Sequence, residues 1–190
     1  MNIDKYPEIH PGSKRFKKAY AFVMLLTVGR GIEAASRVDE AVKTIVGDLP
    51  EGFTFSLGVA PSGPWMIMEK DASGRLRYLG WRRFKKKTDL DMIIRNIEAA
   101  FRLFTFREST AQAYNYGRFS VNGNLPNALS VMRIMDIVEI YLLPKIIAAL
   151  AVKRYPDSKE LPPARKHFNR LRIYLRAFSP GLVRVVYRNL

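Results

Sequence analysis

The alternation of apolar and polar positions late in the chain predicts a strand followed by a tight turn. Phe119 and Val121 alternate with polar neighbours, which is the period-2 pattern of a half-buried strand. The pair Asn122 and Gly123 follows, and both residues tolerate positive φ. We therefore predict that the chain reverses direction here and enters its next element at once.

That next element is a long apolar helix, predicted over residues 127–152. Pro126 fits its first turn, where the missing N–H costs nothing, and Pro144 kinks or breaks it. Its polar residues recur every three positions and form one thin stripe: Ser130, Arg133, Asp136 and Glu139. The remaining circumference is apolar, so this helix needs apolar neighbours on at least two sides. The pattern fits a core helix, and it equally fits a helix with one face on a lipid cavity.

The N-terminal part predicts two helices. A basic cluster at 14–18 precedes a short apolar run that ends at Val28. The run is shorter than the ~20 apolar residues that cross a bilayer, and residues 1–13 carry acidic side chains ahead of the cluster. We expect a docked or membrane-surface helix rather than a cleaved leader or a spanning segment. The Gly-Arg-Gly triplet at 29–31 predicts a break, with a second helix over 32–46.

The middle of the chain predicts four more strands and a short helix. Asn96 is expected to cap a helix with Ile97, Phe101 and Phe104 on its apolar face, and Thr110–Tyr116 leads into the last strand. The strands alternate apolar and polar residues, at Phe53–Val59, Trp65–Lys70, Arg75–Arg82 and Thr88–Arg95. This order indicates an α+β fold, with a five-stranded, mostly antiparallel sheet covered by helices on one face.

Composition narrows the chemistry. The formal net charge of +15 favours anionic partners: nucleic acid, anionic lipid headgroups or acidic proteins. The absence of cysteine excludes a disulfide framework, a thiolate metal site and a cysteine nucleophile. His10 and His167 lie far apart, and no glycine-rich phosphate loop is present. We therefore expect no metal, no cofactor and no catalytic residue.

The chain resembles the sterol carrier protein-2 family over residues 35–152. Four stretches carry the resemblance: FTFSLGV, GPWMIMEKDASGRLRYLG, TDLDMIIRNIEAAFRLF and AYNYGRFSVNGNLPNALSVMRIM. The continuation through Met135-Asp136, Glu139 and Pro144-Lys145 is similar to a bacterial branch of accessory lipid-binding proteins of ubiquinone biosynthesis. Asn124 departs from the family pattern, which usually has aspartate there.

The resemblance implies an apolar cavity between the sheet and the helices and non-catalytic lipid binding. The implied ligands are isoprenoid quinones or their precursors, fatty acyl chains, phospholipids or sterol-like molecules. The implied partners are an anionic membrane surface and other proteins of a lipid or quinone pathway. We accordingly divide the chain into an N-terminal arm and apolar helix (1–34), a lipid-binding domain (35–155) and a basic amphipathic C-terminal extension (156–190).

A lipid site needs a concave apolar surface with few polar groups. Eight residues on the two helices are predicted to line it, although each also fits an ordinary core position: Phe101, Phe104, Leu129, Met132, Met135, Ile140, Leu143 and Ile147. The methionines suit varied chains because the thioether is flexible and polarizable.

Basic segments are predicted to hold the protein at a membrane. A proline-rich linker precedes a basic amphipathic helix over 164–178, and a second basic run lies near residue 85. The predicted docking residues are Lys85, Lys86, Lys87, Arg165, Lys166, Arg172 and Arg176. Each basic side chain near an anionic surface contributes about 1 kcal/mol. We expect a cytoplasmic protein that associates peripherally with membrane.

Two other classes stay open at this point. The stretch YLGWRRFKKK interleaves aromatic residues with cations, which suits nucleic acid, although YGRFSVNG departs from the RNA-recognition consensus. Asp89 and Asp91 share one face of a strand and suit acid–base chemistry, but they fit better as a solvated face beside the lysines at 85–87. We therefore predict a binding protein rather than an enzyme.

Overall fold

The computed structural model describes residues 14–82, 87–142 and 173 of the chain. This part of the chain contains five helices and five strands: α1 (Arg15–Val38), α2 (Glu40–Gly47), β1 (Thr54–Val59), β2 (Trp65–Lys70), β3 (Leu76–Gly80), β4 (Leu90–Ile94), α3 (Ile97–Phe104), α4 (Thr110–Asn115), β5 (Phe119–Gly123) and α5 (Leu125–Leu142). The predicted linker and C-terminal helix lie outside the described residues, except that Ile173 is helical and fully buried.

The strands form one sheet in the order β3-β2-β1-β4-β5. β1 and β4 are parallel, and the other three neighbouring pairs are antiparallel. The predicted α+β class with a mostly antiparallel five-stranded sheet is therefore confirmed. The parallel pair lies in the interior of the sheet. β4 follows β3 in the sequence but pairs with β1, on the side away from β2.

One face of the sheet carries the main core. Leu57 lies between its register partners Met66 and Met92, and all three belong to the same buried cluster as the helices. On the opposite face Trp65 and Ile67 are buried as well. Strands that carry apolar residues on both faces need cover on both, so the sheet is not an amphipathic layer with one wet side.

Helix α1 corrects the predicted break at the Gly-Arg-Gly triplet, because it runs without interruption from Arg15 to Val38. A Cβ on Gly29 would lie 2.7 Å from the ring of Tyr78, and one on Gly31 would lie 2.9 Å from side-chain atoms of Leu142. The two glycines thus allow the helix to approach the sheet on one side and α5 on the other. Close packing outweighs the cost of glycine inside a helix, which is about 1 kcal/mol each.

Helix α1 is packed against the fold rather than standing apart from it. Ala21, Leu25, Ile32 and Ala35 are fully or almost fully buried in the common core. The proposed segment boundary after residue 34 falls inside this helix. No helix of the described ranges is long and apolar enough to cross a membrane.

The break between α1 and α2 lies at Asp39 instead. Its side chain caps α2 by accepting a hydrogen bond from the Val42 N–H at 3.1 Å. The Tyr141 hydroxyl of α5 donates to the same carboxylate at 2.6 Å. This buried contact joins the end of α5 to the junction of the first two helices.

The segment that leads into β5 contains a short helix, α4, where we predicted none. Ser109 and Gln112 form a capping box, in which each side chain satisfies the backbone of the other. The Ser-x-x-Gln spacing is readable in the sequence and was the missed signal. The predicted cap at Asn96 is confirmed, since its side chain accepts from the Ala99 N–H at 2.8 Å.

Helix α5 buries one face along most of its length, through Ala128, Val131, Ile134 and Val138. Its first turns leave Leu129 half exposed. Burial extends further around the helix only in the last turn, where three consecutive residues are buried: Ile140, Tyr141 and Leu142. The expectation of apolar neighbours on two sides thus holds at the end of the described helix and not at its start.

Candidate functional site

An apolar cavity of about 140 Å³ lies between the sheet and the helices. The central strands supply its floor through Leu57, Ile94 and Phe119, which are buried. Helices α1, α3 and α5 and the α3–α4 connection supply the walls: Met24, Leu25, Thr27, Val28, Leu103, Phe104, Phe106, Glu108, Ser109, Thr110, Met135, Glu139 and Leu142.

The sheet register explains why the floor is apolar. Leu57 precedes Val59, which pairs with Ile94, and Ile94 pairs with Phe119 on the other side. These residues belong to three adjacent strands and point to the same face because side chains alternate along a strand. Regular strand geometry therefore suffices to form the apolar floor. The size of the cavity depends on the distance between the sheet and the helices.

The volume limits what the cavity can hold. A dry cavity of ~150 Å³ takes a benzene molecule, whereas pockets for drug-sized ligands are roughly 300–1,000 Å³. The cavity of about 140 Å³ thus accepts a ring or a short length of alkyl chain. It does not enclose a complete long-chain lipid.

The first polar group of the cavity is Glu108, whose side chain is only 7% exposed. Its Oε1 accepts a hydrogen bond from Arg118 Nη1 at 2.5 Å. Its Oε2 is buried, and no donor among the described residues bonds to it. Arg118 also lies over the Tyr116 ring, with its guanidinium carbon 5.0 Å from the ring centroid. The cavity wall therefore contains a buried carboxylate that an ion pair holds on one side.

The second polar group is Glu139 of α5, which is half-buried at the cavity wall. Burial, and to a smaller extent charge repulsion from the neighbouring Asp136, together raise the pKa of this carboxyl to about 7. Its side chain makes no hydrogen bond or ion pair within the described part of the fold. Near neutral pH, Glu139 thus exists in both the neutral and the charged form.

Phe106 is the one non-glycine residue of the described chain with a positive φ, at 57°. A bulky side chain in the left-handed region stores backbone strain. The residue lies in the α3–α4 connection and lines the cavity. The strained turn directs the chain so that Glu108 follows two residues later at the cavity wall.

The predicted lining residues divide into three groups. Phe104 and Met135 line the cavity. Phe101 packs edge-on against Tyr20 of α1, with ring centroids 5.4 Å apart, while Ile140 is buried away from the cavity. Leu129 and Met132 lie on the outer side of α5, and Leu143 and Ile147 lie outside the described residues. Contact of these eight residues with lipid stays a prediction.

The cavity also contains residues that the sequence analysis did not consider, above all Met24, Thr27 and Val28 of α1. We had placed this helix outside the lipid-binding segment. Leu57 and Phe119 also line the cavity, whereas the sequence indicates only that they are apolar positions on one face of a strand. The spacing of apolar residues in α1 indicates that one face of the helix is buried, but it does not indicate that this face lines a cavity.

Most predicted docking residues lie outside the described residues, namely Lys85, Lys86, Arg165, Lys166, Arg172 and Arg176. Lys87 is described and is exposed.

A basic and aromatic surface is present at the start of α1. Arg15, Lys18 and Val23 are exposed, and Phe16 is 73% exposed. Phe16 and Val23 are seven residues apart and so lie on the same side of the helix. Arg15 and Lys18 lie on other sides of the same part of the helix, and we call these four exposed residues together the α1 surface. It combines positive charge with apolar side chains that the fold leaves uncovered.

Asp89 is exposed, as we expected for a solvated face, but Asp91 is not. Asp89 accepts from the Thr54 N–H and hydroxyl, each at 2.8 Å. Asp91 is half-buried and accepts from the hydroxyls of Ser56, at 2.5 Å, and Thr88. Both carboxylates thus bind hydroxyl donors and join the parallel strands β1 and β4. Within the described ranges, no group of three or more acidic or histidine side chains is placed to hold a metal ion.

Comparison with known proteins gives matches at the level of structure. No family model matches the chain, and no curated protein matches it. Among solved structures, the chain is similar to one described as "UbiJ-SCP2 Ubiquinone synthesis protein", with 18% identity, coverage of 66% of this chain and 97% of that one, and a TM-score of 0.41.

Two further similar structures are a sterol carrier protein 2 from Yarrowia lipolytica and a sterol carrier protein domain from Helicoverpa armigera. The first has 12% identity, covers 62% of this chain and 90% of its own, and has a TM-score of 0.44. The second has 17% identity, covers 69% of this chain and 94% of its own, and has a TM-score of 0.38. The solved structures to which the chain is similar thus include sterol carrier protein-2 domains.

Proposed function

We propose that this protein binds the apolar end of a lipid in the cavity between its sheet and its helices, without catalysis. The observation that carries the proposal is the cavity of about 140 Å³, whose floor and most of whose walls are apolar. An empty apolar cavity forfeits the contacts of the atoms that line it, so filling it with an alkyl segment or a ring is favourable.

The cavity supplies a modest part of the binding energy. A segment of about five methylenes gains roughly 4 kcal/mol at about 0.8 kcal/mol each, before the entropy cost of association. The remainder of a long chain would extend beyond the cavity. A carrier must also release its cargo, and moderate affinity serves that purpose. Isoprenoid quinones and their precursors, fatty acyl chains, phospholipids and sterol-like molecules all present an apolar end of the required size.

We further propose that the protein exchanges its ligand at an anionic membrane. The net charge of +15 favours such a surface, and the α1 surface adds exposed Phe16 and Val23 to the charges of Arg15 and Lys18. Basic residues attract anionic headgroups while apolar side chains enter the interface. The predicted basic residues near 85 and in the C-terminal extension belong to the same proposal.

Lipid recovered with the purified protein tests the first part. We would compare the wild type with Met135→Trp, which fills the cavity, by native mass spectrometry and by analysis of organic extracts. Leu129→Trp is the matched control, because it places the same large side chain on the outer side of the same helix, where Leu129 is 50% exposed. We expect lipid with the wild type and the control, and at least tenfold less with Met135→Trp.

Two results would contradict the proposal. Recovery of equal lipid from both tryptophan variants would place binding away from this cavity. A protein free of lipid that instead carries nucleic acid, released by salt, would favour the nucleic-acid alternative, because phosphate contacts weaken steeply as salt rises.

A further inference from the structure

A second concave surface, the basic groove, lies at the start of α1 and has a volume of about 420 Å³. Its cations come from the first turn of α1 and the residue before it: Lys14, Arg15 and Lys18. The β1–β2 turn at 59–63 and the start of α3 form the other walls. Among the described residues, the basic groove and the apolar cavity have no lining residue in common. The groove is thus a separate place in the fold with a different chemical character.

Contacts with two other elements hold the lysines at the groove. Lys18 Nζ donates a hydrogen bond to Ser62 Oγ in the β1–β2 turn, at 3.3 Å. Lys14 Nζ lies 3.5 Å from Glu98 Oε1 in the first turn of α3, and Lys17 binds the other oxygen of that carboxylate. Glu98 is not among the described residues that line the groove. Since two lysines share its single charge, the basic groove keeps an excess of positive charge.

Backbone hydrogen bonds fix the walls before any ligand arrives. The Gly63 N–H donates to the Val59 carbonyl at 2.9 Å and closes the β1–β2 turn. The Ala60 N–H donates to the Ile94 carbonyl at 2.8 Å, which ties this turn to the end of β4. From there the chain passes directly to the Asn96 cap of α3. A site whose walls are already ordered loses little entropy when it binds.

The donors at the basic groove match a phosphate group. Ammonium and guanidinium groups form charge-assisted hydrogen bonds with phosphate oxygens. The N-terminus of α3, whose first residue Ile97 lines the groove, adds a partial positive charge that also favours an anion. A phosphomonoester has three terminal oxygens and a charge of about −1.5 to −2 at pH 7, whereas a phosphodiester has two such oxygens and a single charge. Three cations can therefore bind a monoester more completely.

We propose that the basic groove binds the phosphate of an anionic phospholipid, and that it prefers a terminal phosphomonoester to a phosphodiester. Arg15 and Lys18 are exposed, so a head group at a bilayer surface can reach them. Phe16 follows Arg15 in the chain and is 73% exposed, and an uncovered aromatic side chain suits a lipid surface better than a soluble phosphate. The inference rests on the proposed exchange at an anionic membrane, because it names the head group and the residues that bind it.

Vesicle co-sedimentation of the full-length protein measures the preference. The vesicles contain phosphatidylcholine with either phosphatidic acid, a monoester, or phosphatidylglycerol, a diester, and the two compositions are adjusted to the same zeta potential. The assay is run at pH 7.4 and 150 mM salt, where exposed charges are screened beyond about 8 Å. We expect at least about fivefold tighter binding to the phosphatidic acid vesicles.

Matched double variants test the residues. Arg15→Gln/Lys18→Gln removes two cations of the basic groove, and we expect it to bind phosphatidic acid vesicles at least about tenfold more weakly than the wild type, a change of 1.4 kcal/mol. Lys43→Gln/Arg75→Gln is the control, because it lowers the net charge equally at two exposed positions that do not line the groove. We expect the control to lose no more than about threefold in binding.

Single charges added to two turns of the sheet give a second test that leaves α1 intact. Ser62→Asp puts a carboxylate beside Lys18, where it repels phosphate and competes for the lysine. Ala72→Asp adds the same charge to the exposed β2–β3 turn, at the other end of β2. We expect Ser62→Asp to abolish the preference for phosphatidic acid and Ala72→Asp to retain it.

The outcomes separate this inference from the function on which it rests. If the groove variants lose no more binding than their controls, or if the wild type binds the two kinds of vesicle equally, the inference is overturned while binding to anionic membrane stands. Calorimetry with glycerol 3-phosphate covers a soluble source, and a dissociation constant in the micromolar range would assign the groove to a free phosphate and overturn the lipid. If the wild type binds neither kind of vesicle, the proposed exchange at a membrane fails, and the inference fails with it.

Discussion

Replacement of Glu139 by glutamine should stabilise the protein at pH 8 and leave its stability almost unchanged at pH 4. Glu139 is half-buried at the wall of an apolar cavity, and its pKa is raised by burial from its ordinary 4.5 to about 7. A carboxyl with a raised pKa in the folded state retains a proton that the unfolded chain has already lost. Stability therefore falls as pH rises from about 4.5 to about 7, and the loss is complete above that range.

The size of the effect follows from the shift. One pKa unit corresponds to 1.36 kcal/mol, so the difference between 4.5 and about 7 corresponds to roughly 3 kcal/mol. Glutamine has nearly the same shape and stays neutral, so it escapes this cost at every pH. Among the described residues, the other charged groups near Glu139 are Asp136 on the same helix and Glu108 across the cavity, the latter paired with Arg118. Helix α1 contributes only uncharged residues to this cavity.

Urea denaturation of both proteins at pH 4, 5, 6, 7 and 8 measures the difference. We expect the free energies of unfolding to coincide at pH 4 and to diverge to roughly 3 kcal/mol in favour of Glu139→Gln at pH 8. Asp136→Asn removes the charge repulsion on Glu139 and should make the loss of stability between pH 4.5 and pH 7 smaller than in the wild type. A difference between wild type and Glu139→Gln that is the same at every pH would refute the argument from desolvation.

Three further predictions concern the packing of the fold and the α1 surface. Tyr141→Phe removes the hydrogen bond to the buried Asp39 carboxylate and should lower the free energy of unfolding by roughly 1.5–3 kcal/mol in urea denaturation, and an unchanged midpoint would contradict this role. Gly58→Ala places a Cβ 2.1 Å from the Trp65 indole and should lower the free energy of unfolding by about 1–3 kcal/mol or more. Gly47→Ala is the control, because no atom lies within 4 Å of the added Cβ, and it should leave the free energy of unfolding unchanged. Phe16→Ala should reduce co-sedimentation of the full-length protein with vesicles of anionic phospholipid. Tyr114→Ala removes another exposed aromatic ring and should not reduce it. Equal losses of co-sedimentation in the two variants would count against the α1 surface as the docking site.

Much of the fold was predictable because it depends on local periodicity. The strand alternation around Phe119, the Asn96 cap and the apolar spacing of α5 are encoded by near neighbours in the sequence, and the structure has an element at each place. The α4 capping box was equally local but was overlooked. These features require no knowledge of which segments meet in space.

The Gly-Arg-Gly triplet shows where local rules fail. Glycine usually breaks helices because it has much backbone freedom to lose. In α1 the same residues remain helical, because the ring of Tyr78 and the side chain of Leu142 occupy the space that a Cβ would take. The neighbours that reverse the rule are distant in sequence, so no pattern within the helix could reveal them.

What the sequence determined by itself is the class of the fold and an apolar, basic character that suits a lipid carrier at a membrane. Tertiary structure alone decided that α1 belongs to the cavity, that the cavity measures about 140 Å³, and that Glu108 and Glu139 meet at it. The reason is physical. Periodicity records which side of an element avoids water, whereas a cavity and the groups that line it depend on the distances between elements, which arise only when the segments pack.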